Sequence, residues 1–215
     1  MIIRQFAYIC NMVAIITGDI IHSAKMKPRQ WMGRLKTALG KFGKTPGNWE
    51  IYRGDAFQLE VKDAANAAWV AIRLKAMLKA TQGLDARMSI GLGEKNFRAK
   101  KITQANGSAF VNAGQKFDML KAEKVNMAVH SGNEKFDDEI NLFLKFALVF
   151  MDSWTPTSAS LVNVFMSNPG KTQSEIAALL HINQSAVSQR KKRAHFDLVE
   201  EFDKHFKIRV KEFFA

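Results

Sequence analysis

The chain has 215 residues, of which 47% are hydrophobic and 24% are charged, the balance of a globular protein with one large or two small domains. Its formal net charge of +12 favours polyanionic partners, and nucleic acid is expected ahead of a membrane because no long uncharged apolar run is present. Cys10 is the only cysteine, which excludes an internal disulfide framework and a thiolate zinc site and suits a reducing cytoplasm.

The first eleven residues, MIIRQFAYICN, come before the first clear element. They carry a short apolar patch but neither the long apolar core nor the cleavage site of a secretory signal. We interpret residues 1–11 as an amino-terminal extension that is either an upstream start or a short extra strand. A dispensable terminus is the simpler interpretation.

Two acidic residues are expected at the ends of neighbouring strands. The run Met12–Ile16 is apolar throughout, as in a central strand covered on both faces, and it leads to Asp19. Between residues 49 and 61, apolar residues alternate on both sides of a Gly54-Asp55 pair. This pattern predicts a hairpin whose turn holds the second acid.

Carboxylates at converging strand ends can bind a hard cation. We predict that Asp19 and Asp55 share one Mg²⁺ or Mn²⁺ ion, together with the carbonyl of Ile20. The expected ligands of a nucleotide phosphate are Ser23, Lys25 and Arg53. The structural alternative is that Asp19 caps the following helix and Asp55 suits a tight turn.

A basic segment follows the first acid. Residues 23–47 include seven lysines and arginines and no acidic residue. Apolar residues at helical spacing after Pro28 predict a helix with one buried stripe and a basic face. This face is either simply solvated or directed at a triphosphate or a nucleic acid backbone.

The next segments complete a sheet domain. Asp63 is expected to cap a helix that runs to about Thr81, and the alternation at Met88–Leu92 predicts a strand. A helix from Ser108 and a strand at Val125–Val129 follow. The order β-α-β-β-α-β-α-β indicates an α+β domain with helices on one face of the sheet.

An apolar helix from Asn133 to Trp154 closes this domain, either as a further helix on the sheet or as a connector that dimerises. The Thr155-Pro156-Thr157 stretch is the expected boundary. We therefore predict a sheet domain at residues 12–154 and an all-α domain at 155–215.

The second domain contains a helix-turn-helix pattern. Residues 172–175 (TQSE) have the form of a capping box, residues 181–183 (HIN) form a turn, and a second helix begins at Gln184. Small Ala177 would allow the two helices to cross closely. The motif either binds DNA or serves only for packing.

The DNA interpretation rests on the second helix. Its first turns carry amide and hydroxyl groups suited to base edges, and a basic cluster suited to phosphates follows. The expected contacts to duplex DNA are Thr172, Gln184, Ser185, Ser188, Gln189, Arg190, Lys191, Lys192 and Arg193.

These motifs resemble known families. From about Met12 to about Val129, the sequences TGDI, RGDAF and RMSIGLG are similar to the palm-like catalytic domain of class III nucleotide cyclases and diguanylate cyclases. Residues 173–188 resemble bacterial regulators of the form Q-x-x-I-A-x-x-L-x-I-x-Q-x-A-V-S, with His181 where glycine is usual. Together the two halves are similar to SatD-type bacterial proteins.

The resemblance implies a ferredoxin-like sheet domain with two metal-binding acids and a site built between two subunits. Val111 and Gln115 stand where active cyclases have asparagine and arginine, and Arg53–Phe57 lacks the second acid of the diguanylate cyclase motif. We expect a homodimeric transcriptional regulator with a nucleotide-sensing or dimerising cyclase-like domain. The alternative is a metal-dependent cyclase or phosphodiester-forming enzyme with a DNA-binding tail, so whether the chain is an enzyme stays open.

Overall fold

The computed structural model describes residues 12–214 and is a mixed α+β structure built on one five-stranded sheet. The strands are β1 (Met12–Ile20), β2 (Trp49–Tyr52), β3 (Ala56–Val61), β4 (Ala86–Glu94) and β5 (Met127–His130). The extension predicted at residues 1–11 lies outside the described part of the chain.

The strand order is β2-β3-β1-β4-β5. Strand β1 is antiparallel to both of its neighbours, β3 and β4, while β5 is parallel to β4. This confirms β1 as a central strand, and its apolar residues are buried on both faces. Strands β2 and β3 form the predicted hairpin around residues 53–55.

Eight α-helices surround the sheet or follow it within residues 12–214. They are α1 (Pro28–Leu39), α2 (Ala67–Lys79), α3 (Ser108–Glu123), α4 (Glu134–Met151), α5 (Pro156–Ser167), α6 (Gln173–Leu180), α7 (Gln184–Arg193) and α8 (Phe196–Phe214). None of these helices is long and apolar enough to cross a membrane.

Helices cover both faces of the sheet, which corrects the expectation of helices on one face. Ile16 packs in the main core with α1, α2 and α4, whereas Ile15 points the opposite way and packs with Ala109 and Ala113 of α3. Gly91 of β4 lets α3 approach closely, because a Cβ there would lie 2.2 Å from the Ala113 nitrogen. The α3 residues in this contact, Ala109 and Ala113, are small, so the apolar periodicity of α3 is weak in the sequence.

Helix α4 protects the edge of the sheet. The Asn141 side chain accepts a hydrogen bond from Val129 N and donates one to Val129 O, both at 2.8 Å. The side chain thereby pairs with the open edge of β5 as another strand would. The sheet-covering role predicted for this helix is confirmed, and its role in dimerisation stays a prediction.

The carboxy-terminal helices share the core of the sheet domain. Trp154 is buried beside the expected boundary, and its indole N–H donates to the carbonyl of Ala194 at 2.9 Å. Helix α8 then returns along α4, where Phe206 packs edge-to-face on Phe136. One continuous hydrophobic core therefore joins residues 12–154 to residues 155–214.

A buried ion network lies at the same junction. Lys75 is fully buried, and its Nζ lies 2.8 Å from Asp85 and 2.7 Å from Asp152, the residue that follows α4. Lys79 also contacts Asp85 and donates to the Asp152 carbonyl at 2.8 Å. The end of α4 is thus tied to α2 by charge as well as by packing.

Candidate nucleic-acid interface

The start of α6 is fixed by the predicted capping box, which the structure contains. The Thr172 hydroxyl accepts from Glu175 N, and the Glu175 carboxylate accepts from Thr172 N at 2.8 Å. Hydrogen bonds donated to the Glu175 carboxylate by the Thr172 backbone N–H and by the Thr172 hydroxyl lower the pKa of the Glu175 carboxyl. Thr172 itself is exposed at the amino end of the helix.

Three residues connect α6 to α7. His181 has a φ of 52°, so it occupies the left-handed conformation that glycine usually supplies. Ile182 N donates to Ala177 O at 3.1 Å, and the Asn183 side chain caps α7 by accepting from Ala186 N at 2.7 Å. The turn is therefore fixed at both ends by hydrogen bonds.

Most of the surface of helix α7 is open to solvent. Val187 is its only buried residue. The exposed residues of its first two turns are Gln184, Ser185, Ser188 and Gln189. Gln184 donates to the Gln173 side chain at 3.1 Å, and Ser185 donates to Asn183 at 2.9 Å, so both have only local partners that solvent or a ligand can replace.

The four basic residues of α7 do not share one environment. Lys192 and Arg193 are exposed, while Arg190 is half-buried beside Thr157 and Ser160 of α5. Lys191 lies against α8, and its environment differs most from the exposed position expected of a phosphate contact.

The Lys191 ammonium lies 2.5 Å from Asp197 and 3.4 Å from Glu200, and 5.5 Å from the ring centre of Phe165. Partial burial lowers the pKa of Lys191, but the two carboxylates raise it, and the net direction is upward. Only 18% of the side chain is exposed. The acidic first turns of α8 thus pair with Lys191, and a phosphate contact by Lys191 stays a prediction.

The two acids of the sheet domain lie at the same end of neighbouring strands. In the β1–β3 ladder Gly18 faces Phe57, so Asp55 is just beyond the last pair, next to the end of β1. Their partners differ: Arg87 donates to both oxygens of Asp19, and the Ser23 hydroxyl donates to Asp55.

The remaining residues of that expected site are spread around it. Ile20 is buried opposite Ala86 in the β1–β4 ladder. Lys25 and Arg53 are exposed, and Arg53 has a φ of 49° in the hairpin turn. Neither forms an ion pair among the described residues.

This arrangement does not fit a divalent ion as it stands. The guanidinium of Arg87 occupies the oxygens of Asp19 that a metal would need, and it supplies the compensating positive charge. Within residues 12–214, no group of three His, Cys, Asp or Glu side chains is placed to hold a metal ion. Binding of Mg²⁺ or Mn²⁺ therefore stays a prediction.

Two basic segments that are far apart in the sequence lie together at the other end of the sheet. Ile102 N donates to Pro46 O at 2.9 Å, which brings residues 41–47 beside residues 97–101. The exposed bases of these segments are Lys41, Lys44, Arg98, Lys100 and Lys101. Phe97 is exposed among them. Each basic run is visible in the sequence, but their proximity depends on the tertiary fold.

A comparison of the chain with protein-family models and with curated proteins finds no match.

Proposed function

We propose that this chain binds duplex DNA through α6 and α7 and acts as a transcriptional regulator. One observation carries the proposal: α7 buries a single side chain and exposes four uncharged hydrogen-bonding side chains in its first two turns. An amphipathic helix that served only for packing would bury a wider apolar stripe.

The chemistry of α7 suits the major groove. Amide side chains can form paired hydrogen bonds with adenine, and hydroxyl groups can bond to several base edges. Lys192 and Arg193 follow on the exposed surface and can neutralise phosphates, which contributes affinity without sequence preference. Gln184 and Gln189 are thus the proposed readers of sequence, and Lys192 and Arg193 the proposed phosphate contacts.

We also propose a fold for the sheet domain and for the helices that follow it. The sheet contains the order β2-β3-β1-β4 with a β-α-β-β-α-β chain path, which supports a ferredoxin-like, cyclase-like domain carrying the additional strand β5. Two capped helices joined by a three-residue turn support a helix-turn-helix. In this proposal the regulator is a cytoplasmic homodimer whose sheet domain senses a nucleotide or serves dimerisation.

A metal-dependent cyclase or related phosphodiester-forming enzyme is the second candidate. It is favoured by the position of Asp19 and Asp55 at one end of adjacent strands and opposed by the pairing of Asp19 with Arg87. Turnover of ATP and GTP with Mg²⁺ or Mn²⁺, measured with and without DNA, tests this candidate directly.

The test of DNA binding uses the whole chain, because a fragment that lacks residues 155–215 would expose the shared core. A duplex selected from a random pool and an unselected duplex are titrated by fluorescence anisotropy at several salt concentrations. We expect Gln184→Ala or Gln189→Ala to reduce the preference for the selected duplex by about tenfold, because each good base contact contributes about 1–3 kcal/mol. We expect Lys192→Ser with Arg193→Ser to weaken binding to both duplexes and to lower the salt slope by about 2.

The matched control is Lys41→Ser with Lys44→Ser, which removes the same charge from the other exposed basic surface. An effect of this control equal to that of the α7 pair, with no effect of the glutamine variants, would contradict the proposal. The polyanion site would then lie on residues 41–47 and 97–101.

A further inference from the structure

Helices α4 and α8 form an antiparallel pair on the outside of the molecule. Near the start of α4, Glu139 accepts from His205 Nε2 at 2.7 Å and from Arg209 at 2.7 Å. Near its end, Phe150 packs against His195, with ring centres 5.2 Å apart. The two helices therefore support each other along most of their length and form a rigid surface.

The outer face of this pair is apolar. Its exposed members are Leu142, Phe143, Phe146, Val149 and Leu198, and we call these five residues the α4/α8 face. Phe146 is 65% exposed and Val149 is 76% exposed. A groove of about 440 Å³ runs between the two helices here, with Phe146 and Phe150 on one side and Leu198 on the other.

The extent of this face is that of a large, often functional apolar patch. Partly exposed aromatic and aliphatic side chains of this size give an exposed apolar area on the order of 500 Å², near the upper end of the largest patches on monomeric proteins. A standard protein interface buries about 800 Å² on each partner, which the face and its polar rim together can supply.

The charges around the α4/α8 face indicate which kind of partner can bind there. Its rim carries the exposed acids Asp138 and Glu201 and the exposed bases Lys145 and Lys204. Both signs are therefore present beside the face, although the chain carries a net charge of +12. Two copies would repel each other over a uniformly basic surface, but here an acid of one copy can meet a base of the other, whereas these acids would repel a polyanion.

We propose that the α4/α8 face is the interface through which two copies of this chain associate about a two-fold axis. Two antiparallel helix pairs that meet through their apolar faces form a four-helix bundle. The interface buries Phe146 and Val149 of each copy against the groove of the other.

This interface has a consequence for α7. Only Ala194 and His195 separate α7 from α8, so Leu198 lies one turn into the helix that continues from the DNA-binding element. A dimer through the α4/α8 face holds the two copies of α7 in a fixed relation, as paired half-sites require. The interface rests on the homodimer of the proposed function, which it locates on one surface, and this last step rests also on the proposed DNA binding.

The experiment measures the oligomeric state of the full chain by sedimentation equilibrium, without DNA. We expect a dimer at tens of micromolar protein, an ordinary range for homodimers, and at least a tenfold weaker dimer in Phe146→Glu and, separately, in Leu198→Glu. The matched controls are Val111→Glu and Met119→Glu, which place the same charge at apolar positions of α3 that are equally open to solvent. Circular dichroism establishes whether each variant is folded. The two test positions lie on different helices, so if one variant misfolds, the other still tests the interface.

Two results would overturn the proposal. One is a wild-type chain that stays monomeric through this range, and the other is a dimer that Phe146→Glu and Leu198→Glu weaken no more than the controls do. The DNA proposal fails in a different way: the α7 variants would leave DNA affinity unchanged while the dimer persists.

Discussion

Arg87 holds both carboxylate oxygens of Asp19 across the β1–β4 ladder, with its Nε 3.1 Å from Oδ1. Both side chains are mostly buried. The positive charge next to Asp19 is therefore part of the protein, at the position where a cyclase-like site would use a metal ion. Any cation that binds Asp19 has to displace this guanidinium.

Removing Arg87 should expose the carboxylates to metal. Because the guanidinium competes for Asp19, we expect Arg87→Ala to bind Mn²⁺ at least tenfold more tightly than the wild type, as measured by paramagnetic resonance titration. Lys95→Ala is the control, since it opens the equally buried Lys95–Glu60 pair, whose atoms lie 2.8 Å apart. Equal Mn²⁺ affinity in the wild type and in Arg87→Ala would show that Arg87 does not compete with a metal ion for Asp19.

Lys191 should contribute to stability and not to DNA affinity. We expect Lys191→Met to destabilise the fold by about 1 kcal/mol, because Asp197 and Glu200 lose a partly buried partner, and to leave the salt slope of DNA binding nearly unchanged. The raised pKa of Lys191 means that its contribution is complete below the unfolded value of 10.5 and is lost as the pH rises through the folded value. Urea unfolding at pH 7 and above pH 11, together with anisotropy titrations, measures both effects. A salt slope lowered by about 1 would show that Lys191 contacts a phosphate.

Much of the fold follows from local sequence patterns. The alternation at residues 49–61 is retained as the hairpin β2–β3, and the capping box at Thr172 and Glu175 starts α6 where the sequence places it. These features depend on neighbours within a few residues, so periodicity and side-chain chemistry suffice to recognise them.

The features that the sequence did not predict depend on long-range contacts. Asp19 and Arg87 are 68 residues apart, and their pairing follows from the register of β1 against β4, which no local pattern specifies. Lys191 belongs to a basic run, but its direction is set by the acids of α8. The apolar positions of α4 likewise predict a helix without separating the residues that cover β5 from those that remain exposed.

Removing the charge of Lys75 should destabilise the fold more than removing a lysine from an exposed ion pair. We expect Lys75→Met to destabilise the fold by about 3 kcal/mol, because Asp152 would lose its cation and Asp85 would keep only Lys79. The control Lys171→Met removes a lysine from the exposed pair with Glu175 and should cost no more than about 1 kcal/mol. Urea unfolding monitored by tryptophan fluorescence gives both values. Equal losses in the two variants would contradict a structural role for the buried network.

Asp203 should be a destabilising residue at neutral pH. It is buried, one of its oxygens has no hydrogen-bond partner, and the other accepts from Lys207 at 2.5 Å. Burial raises the pKa of Asp203 and outweighs the lowering effect of Lys207, so the folded state resists ionisation of this carboxyl. Because the folded pKa lies above the unfolded value of 3.8, stability is greatest below that value and falls as the pH rises through the folded pKa.

Asp203→Asn removes this ionisation while it preserves the shape of the side chain. We expect the variant to be as stable as the wild type below pH 3.8 and more stable at pH 7, by about 1 kcal/mol after allowance for the lost Lys207 contact. Asp118→Asn, an exposed change on helix α3, is the control and should alter stability by less than about 0.5 kcal/mol at either pH. Thermal unfolding from pH 3 to pH 8 measures the difference. A variant less stable than the wild type at pH 7 would mean that the ion pair with Lys207 outweighs the burial of the carboxylate.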